Sequence, residues 1–340
     1  MYALLRPLLF RLDPETAHRL TLHVLRLAGS FPPSNWFLTQ LYKSPSKPVQ
    51  AFGLTFRNPI GLAAGYDKDA FAIKGLSALG FGHVEVGTVT PQPQPGHPRP
   101  RVFRLLEDDA VINRMGFPSK GSDFVLDRLK RSNVQKNHTL LGINLGKNKD
   151  TPLAEAAHDY IELMRRFIFY ADYLTINISS PNTVGLRRLQ GREMLEQLLG
   201  AIQKERENIS LARGDNAPIL VKISPDLNDE ELDDALGVIL DKGLDGIIAT
   251  NTTLAREGLE SMYRGETGGL SGSPLTAGSE AVLSRVVKRV DGRIPVVSVG
   301  GIMSPEDAKK RLALGASLVQ VYTGLIYRGP KLVQQIIKSL

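Results

Sequence analysis

The sequence has no cysteine in 340 residues. That absence excludes disulfides, thiolate metal sites and a cysteine acting as nucleophile or base. No apolar run reaches about 18 residues, so no membrane-crossing helix is expected. The opening, "MYALLRPLLFRLDPETAHRL", begins like a secretion leader. It lacks a small-residue cleavage site, and Pro7, Arg11, Asp13 and Pro14 interrupt it, so secretion is not expected. A dense Lys/Arg tract interleaved with aromatics is missing too. The net charge of +7 therefore predicts a basic enzyme surface rather than a nucleic-acid groove. Nothing suggests disorder, and 42% apolar residues suffice for a sizeable core.

What is present is a repeat of pattern. From residue 58, short apolar runs end in polar residues or glycine, and a helical stretch usually follows. The runs are "NPIGLAAG", "HVEVGTVT", "LLGINLG", "DYLTINIS", "PILVKIS", "DGIIATN", "IPVVSVGG" and "SLVQVYTG". Continuous apolar runs suit parallel strands buried on both faces. Amphipathic segments such as "PLAEAAHDYIELMRRFIFYA" and "NDEELDDALGVILDKG" separate most of them. The second has Asn228 as N-cap, acids in its first turn and Gly243 at its end. Eight βα units over roughly 280 residues predict an α/β fold, a (β/α)8 TIM barrel. A doubly wound open sheet is the alternative, weakened because no G-x-G-x-x-G follows the first strand. Two long gaps stand out. One holds "RVFRLLEDDAVIN", read as a hairpin, and the other "REGLESMYRGETGGLSGSPL". Both follow a strand and so belong to the active-site face of a barrel.

Residues 1–48 differ from the rest, which divides the chain into 1–48 and 49–340. Leu4, Leu5, Leu8, Leu9 and Leu12 make one apolar stripe. A second helix starts at Asp13 (N-cap) and Pro14 and ends near Gly29. Its stripe is Ala17, Leu20, Thr21, Val24, Leu25 and Ala28, with Arg6, Arg11, Arg19 and Arg26 adding charge across both helices. "NWFLTQLY" predicts a short third turn and "KSPSKPVQ" a linker. Two readings fit this pattern: a basic helical hairpin lying in a lipid interface, or a helical cap docked on the barrel.

In a barrel, strand C-terminal ends face the active site. Here they offer Lys68, Thr88, Asn144, Asn177 with Ser180, Lys222, Thr250 with Asn251, Gly300 with Gly301, and Tyr322 with Thr323 and Gly324. Paired carboxylates for glycoside hydrolysis are missing there, as is a His/Asp/Glu metal cluster. Asp67 and Asp226 read equally well as helix caps. The glycine-rich ends after the seventh and eighth strands suit a phosphate held on backbone N–H groups. A phosphate anchor, many neutral hydrogen-bonding groups and a lysine together suit a flavin. Lys222 is the candidate to stabilise its anionic reduced ring, because an interior lysine without an anionic partner is unfavourable.

The motifs "GLAAGYDKD", "GTVTPQPQPGHPRPRVFRL", "INRMGF", "NLGKNK", "NISSPNT", "LVKISPD", "ATNTT", "TGGLSG", "VGGI" and "VYTGLIYRGP" stand in order along nearly the whole chain. With "LDPETAHRL" near the start, the sequence resembles the class 2, quinone-dependent, membrane-associated dihydroorotate dehydrogenases. The resemblance implies FMN at the barrel mouth and oxidation of (S)-dihydroorotate to orotate in pyrimidine biosynthesis. A base removes the C5 proton and C6 delivers hydride to the flavin, which a membrane quinone reoxidises. It implies Ser180 as the base, with Thr183 and Phe117 beside it as relay and cover, where the sister class uses cysteine. Substrate would meet Lys68, Asn113, Arg114, Met115, Gly116, Phe117, Asn177, Asn182, Asn251 and Thr252. The flavin positions map onto Ala64, Gly65, Tyr66, Asp67, Lys68, Thr88, Asn144, Asn177, Lys222, Thr250, Gly272, Gly301, Tyr322 and Thr323. His18, Arg104 and Tyr322 would line a quinone tunnel. Tyr66 is bulkier than the aliphatic residue expected in this pattern. The resemblance also implies a monomer with no metal and no nucleic-acid partner, peripheral on the cytoplasmic side of a bacterial inner membrane through residues 1–48. Competing readings are a soluble enzyme using fumarate or NAD, a tRNA-dihydrouridine synthase, and a basic RNA-binding or scaffolding barrel without cofactor.

Overall fold

The computed structural model describes residues 2–132, 139–213 and 217–340. Three helices come first: α1 (Tyr2–Arg11), α2 (Pro14–Ser30) and α3 (Pro32–Leu41). A hairpin of β1 (Val49–Ala51) and β2 (Leu54–Phe56) follows. Next come β3 (Ile60–Leu62), α4 (Ile73–Ala78), β4 (His83–Val89), β5 (Val102–Leu105), β6 (Ala110–Asn113), α5 (Ser122–Ser132) and β7 (Leu140–Leu145). The middle of the chain supplies α6 (Ala156–Phe167), β8 (Tyr173–Asn177), α7 (Arg192–Arg213), β9 (Ile219–Ile223), α8 (Asp229–Asp241) and β10 (Gly246–Ala249). The last part holds β11 (Gly269–Gly272), α9 (Thr276–Val290), β12 (Val296–Val299), α10 (Pro305–Ala313), β13 (Leu318–Val321), α11 (Thr323–Arg328) and α12 (Lys331–Ser339).

Eight parallel strands close a barrel in the order β10-β12-β13-β3-β4-β7-β8-β9. Each lies within one of the eight apolar runs, because a strand buried on both faces can be apolar throughout. Asn228 caps α8 as its sequence predicts, in a capping box with Glu231. At the strand starts, Ala51 and Phe56 of the β1–β2 hairpin pack with Leu220, Ile248, Val297 and Leu318 and stopper the barrel's lower end. The open end is therefore the other one, where the strands finish.

The two long excursions meet above that open end. The β5–β6 hairpin forms as expected, and β11 from the second excursion pairs with β6 in register Gly269↔Asn113. This three-stranded rim ties the 113–117 segment to the barrel's far side.

The N-terminal helices dock on α4. Gly29 and Gly75 meet so closely that a Cβ on Gly29 would lie 2.3 Å from the Gly75 nitrogen. The stripe expected on α2 is only partly docked. Ala17, Thr21, Leu25 and Ala28 are half-buried, with Leu22 beside Leu25 against the barrel, whereas Leu20 and Val24 are exposed, as is Leu27 outside the stripe. The expected short third turn is a ten-residue helix, since Pro32 and Pro33 both fall in its first turn, where no donor is needed. Among the described residues no helix is long and apolar enough to cross a membrane.

Candidate active site

The barrel's open end holds a cavity with about 1000 Å³ of empty space, counting its mouth. It is bordered by Ala64, Gly65, Lys68, Thr88, Asn177, Lys222, Thr250, Gly272, Gly301, Tyr322 and Thr323 from the expected cofactor set. From the expected substrate set it collects Asn113, Met115, Gly116, Phe117, Asn182, Asn251 and Thr252, with Ser180 among them. Residues more than 200 positions apart, such as Asn113 and Tyr322, thus face one space.

Other expected residues border no part of it. Asp67 turns its carboxylate to the N–H groups of Phe71 and Ala72, both at 2.7 Å, and so anchors the turn before α4. Arg114 stacks over Phe103 and pairs with Glu266. Asn144 lies beneath the floor, accepting from the Thr88 hydroxyl at 2.6 Å and from Asn177 Nδ2 at 2.9 Å. Tyr66 fills the gap between His18 and Tyr322, with ring centroids 4.9 Å and 5.6 Å away. Its bulk makes a continuous aromatic column from α2 to the cavity wall. Arg104 stacks over Phe10 and donates to the carbonyls of Leu9 and Leu12, which holds α1.

Several bordering residues were not anticipated from sequence. Gln320 sits inside β13, and Ser271, Leu275 and Met303 come from the second excursion and the loop after β12. Strand alternation places Gln320 inward with its neighbours Val319 and Val321 turned away, a signal the apolar run conceals.

The polar strand end "NISSPNT" is satisfied within itself and across the site, except at Thr183. Asn177 Oδ1 accepts from the Ser179 hydroxyl at 2.9 Å, which in turn accepts from Asn251 Nδ2 at 2.9 Å. Asn182 Nδ2 donates to the Asn113 carbonyl at 3.0 Å. Ser180 Oγ accepts from the Asn182 N–H at 3.2 Å, and Ser180 is 5% exposed. Thr183 Oγ1 nearby in sequence is buried with no hydrogen-bond partner.

Two lysines supply positive charge. Lys222 lies on β9, 4% exposed, and its ammonium makes no hydrogen bond among the described residues. Burial pushes it down, and Glu85 pushes back. Glu85 is itself enclosed, accepting from Asn144, Tyr173 and Gln320 at 2.8, 3.1 and 2.8 Å. Burial pushes Lys68 down to about 8, against the opposing pull of Asp69. Among the described residues no His, Asp and Glu cluster could hold a metal ion.

A backbone cradle completes the wall. Gly300 and Gly301 adopt φ of 117° and 70°, and a Cβ on Gly301 would lie 2.4 Å from Thr276 Cα. Their N–H groups, and that of Thr323 at the start of α11, donate to no acceptor among the described residues. Arg311 braces the cradle from behind, donating to the Gly300 carbonyl at 3.0 Å.

Comparison with known proteins gives a consistent picture. The family model described as dihydroorotate dehydrogenase matches residues 47–340. A dihydroorotate dehydrogenase (quinone) from Nitrosomonas eutropha is 49% identical, over 100% of this chain and 97% of that one. One from Azotobacter vinelandii is 47% identical, over 100% and 96%. The crystal structure of the Eimeria tenella DHODH in complex with ferulenol superposes with a TM-score of 0.88 at 41% identity, covering 98% of this chain and 93% of the other.

Proposed function

The chain belongs to the dihydroorotate dehydrogenase family, and from that premise we propose that it oxidises (S)-dihydroorotate to orotate in pyrimidine biosynthesis, with FMN as cofactor and a membrane quinone as final acceptor. The observation that carries this reading is the convergence of an amide-rich wall, a buried and a half-buried lysine and a glycine-lined backbone cradle on one cavity.

FMN fits the residues present. The free N–H groups of Gly300, Gly301 and Thr323 suit its phosphate, and the glycines leave room for a close approach. Lys222 offers a buried positive charge for the ring's reduced form. Ala64, Gly65, Thr88, Asn177, Thr250, Gly272 and Tyr322 would shape the rest of the pocket. When bound, FMN supplies the two-electron acceptor that these side chains lack. The expected contacts of Tyr66, Asp67 and Asn144 become indirect, through the backbone or through Thr88 and Asn177.

The chain's own residues hold the substrate and move its proton. Asn113, Asn177, Asn182 and Asn251 read the ring's amide edges, and Lys68 draws the carboxylate. Ser180 Oγ takes the C5 proton. A serine hydroxyl is a weak base, so it needs a dry pocket and a route onward. Its enclosure and the unpartnered Thr183 hydroxyl support both. Arg114 supports the substrate loop from outside instead of touching substrate.

The test is anaerobic. Adding dihydroorotate to the purified yellow protein should bleach an oxidised-flavin band near about 450 nm. A yellow protein that dithionite bleaches and dihydroorotate does not would sink the reading.

Lys68 makes binding pH-dependent. Its ammonium is charged below about 8 and neutral above. Orotate affinity should be flat on the acid side and weaken by up to about tenfold per pH unit above that point, until the complex's own pKa is reached. Lys68→Met should flatten the profile in an orotate titration.

We divide the chain by role into an interfacial segment, 1–48, and a catalytic barrel, 49–340. Leu4, Leu5, Leu8, Leu20, Val24, Leu27, Phe31, Trp36 and Phe37 are all exposed on the helical segment, interspersed with arginines. That surface supports peripheral binding to an anionic leaflet, on the cytoplasmic side. Glutamates at Leu8 and Leu27 should abolish co-sedimentation with anionic vesicles and slow reduction of long-chain quinone. Bleaching by dihydroorotate should stay near the unaltered rate. Undiminished vesicle binding would refute the anchor.

A further inference from the structure

Arg187 lies outside the cavity, yet it touches three of the loops that build it. Nε donates to the Ser179 carbonyl at 3.0 Å, and that carbonyl belongs to the peptide joining Ser179 to Ser180. Nη2 donates to the Thr252 carbonyl at 2.9 Å. Nη1 pairs with Asp226 Oδ2 at 2.7 Å. Asp226 extends the brace, accepting from the Thr253 hydroxyl and from the Leu254 N–H at 3.0 Å. The loops after β8, β9 and β10 are thereby joined through one guanidinium and one carboxylate.

We propose that the Arg187–Asp226 pair is a positioning clamp: it fixes the Ser179–Ser180 peptide against the Thr252 loop, and so aims the Ser180 hydroxyl at the substrate carbon that loses its proton. The proposal rests on the reading of Ser180 as the base. A planar guanidinium can hold three acceptors in fixed directions, which a lysine cannot. Both side chains are only partly buried, 21% and 27% exposed, and such pairs add little to stability. Neither partner borders the cavity. Their removal should therefore disturb aim more than folding.

The experiment compares Arg187→Met, Arg187→Lys and Asp226→Asn in the full-length holoenzyme. Arg187→Met should slow bleaching at saturating dihydroorotate by about 10²-fold, the scale on which misplacement of a reacting group acts. It should also displace the pH dependence of that rate. Flavin content, melting temperature and quinone-driven reoxidation of the dithionite-reduced protein should stay near unaltered values. Arg187→Lys should recover part of the rate. Asp226→Asn should slow it less than Arg187→Met, and the double variant Arg187→Met/Asp226→Asn should be no slower than Arg187→Met alone. Two results would overturn the clamp: a flavin-loaded Arg187→Met enzyme within about twofold of the unaltered rate, or Met and Lys variants that lose flavin and both half-reactions in proportion. If the unaltered enzyme is reduced by dithionite but not by dihydroorotate, the parent reading falls and the clamp falls with it. An active unaltered enzyme with indifferent variants removes the clamp alone.

Discussion

Alanine at Ser180 should slow bleaching by dihydroorotate by about 10²- to 10⁴-fold, the range a positioned acid or base supplies. The effect should be confined to that step. The substitution removes one oxygen from a side chain that is 5% exposed, and among the described residues it costs one hydrogen bond, from the Asn182 N–H. Folding, flavin content and orotate affinity should therefore stay close to the unaltered protein. Cysteine at the same position offers a more acidic group of similar size, and its thiolate is a competent base. Ser180→Cys should accordingly recover activity toward alkaline pH, where Ser180→Ala does not. Single-turnover bleaching across pH measures both. An alanine variant that bleaches within about tenfold of the unaltered rate would assign the proton to another group.

Methionine at Lys222 should have the second largest effect, and on two quantities at once. Removing the ammonium takes away a positive charge that acts on buried Glu85. Glu85 retains donors from Asn144, Tyr173 and Gln320, so the fall in melting temperature should be modest. Adding Glu85→Gln removes the stranded charge, and the double variant should regain most of the lost melting temperature. It should not regain rapid reduction by dihydroorotate, because the positive charge facing the cavity is still missing. Calorimetry and anaerobic bleaching on the two variants separate these roles. Recovery of both in the double variant would make Lys222 a structural cation only.

The eight barrel strands were legible because each is buried on both faces and needs no alternation. The polar strand ends were legible because amides, hydroxyls and lysines interrupt otherwise apolar runs. Four features were hidden for identifiable reasons. The strand β11 reads "GLSG", with poor intrinsic strand preference, and exists because β6 offers it an edge. Tyr66, Asp67 and Arg114 sit inside motifs whose other members border the cavity, but successive side chains in a turn or strand diverge. Arg187 has partners at Ser179, Asp226 and Thr252, a grouping that only the folded barrel produces. On α2, both faces carry leucine, so helical periodicity alone could not separate the docked stripe from the exposed one.

Strand pairing decides when the ring can close as the chain leaves the ribosome. The first barrel strand, β3, has only β4 and β13 as neighbours, and β13 ends at Val321. Until that last strand emerges, the nascent sheet has an open seam and no complete ring. The loop at 113–117 emerges well before the cradle at Gly300, Gly301 and Thr323. A ligand that needs both walls would therefore be held only after the closing strand has joined the ring.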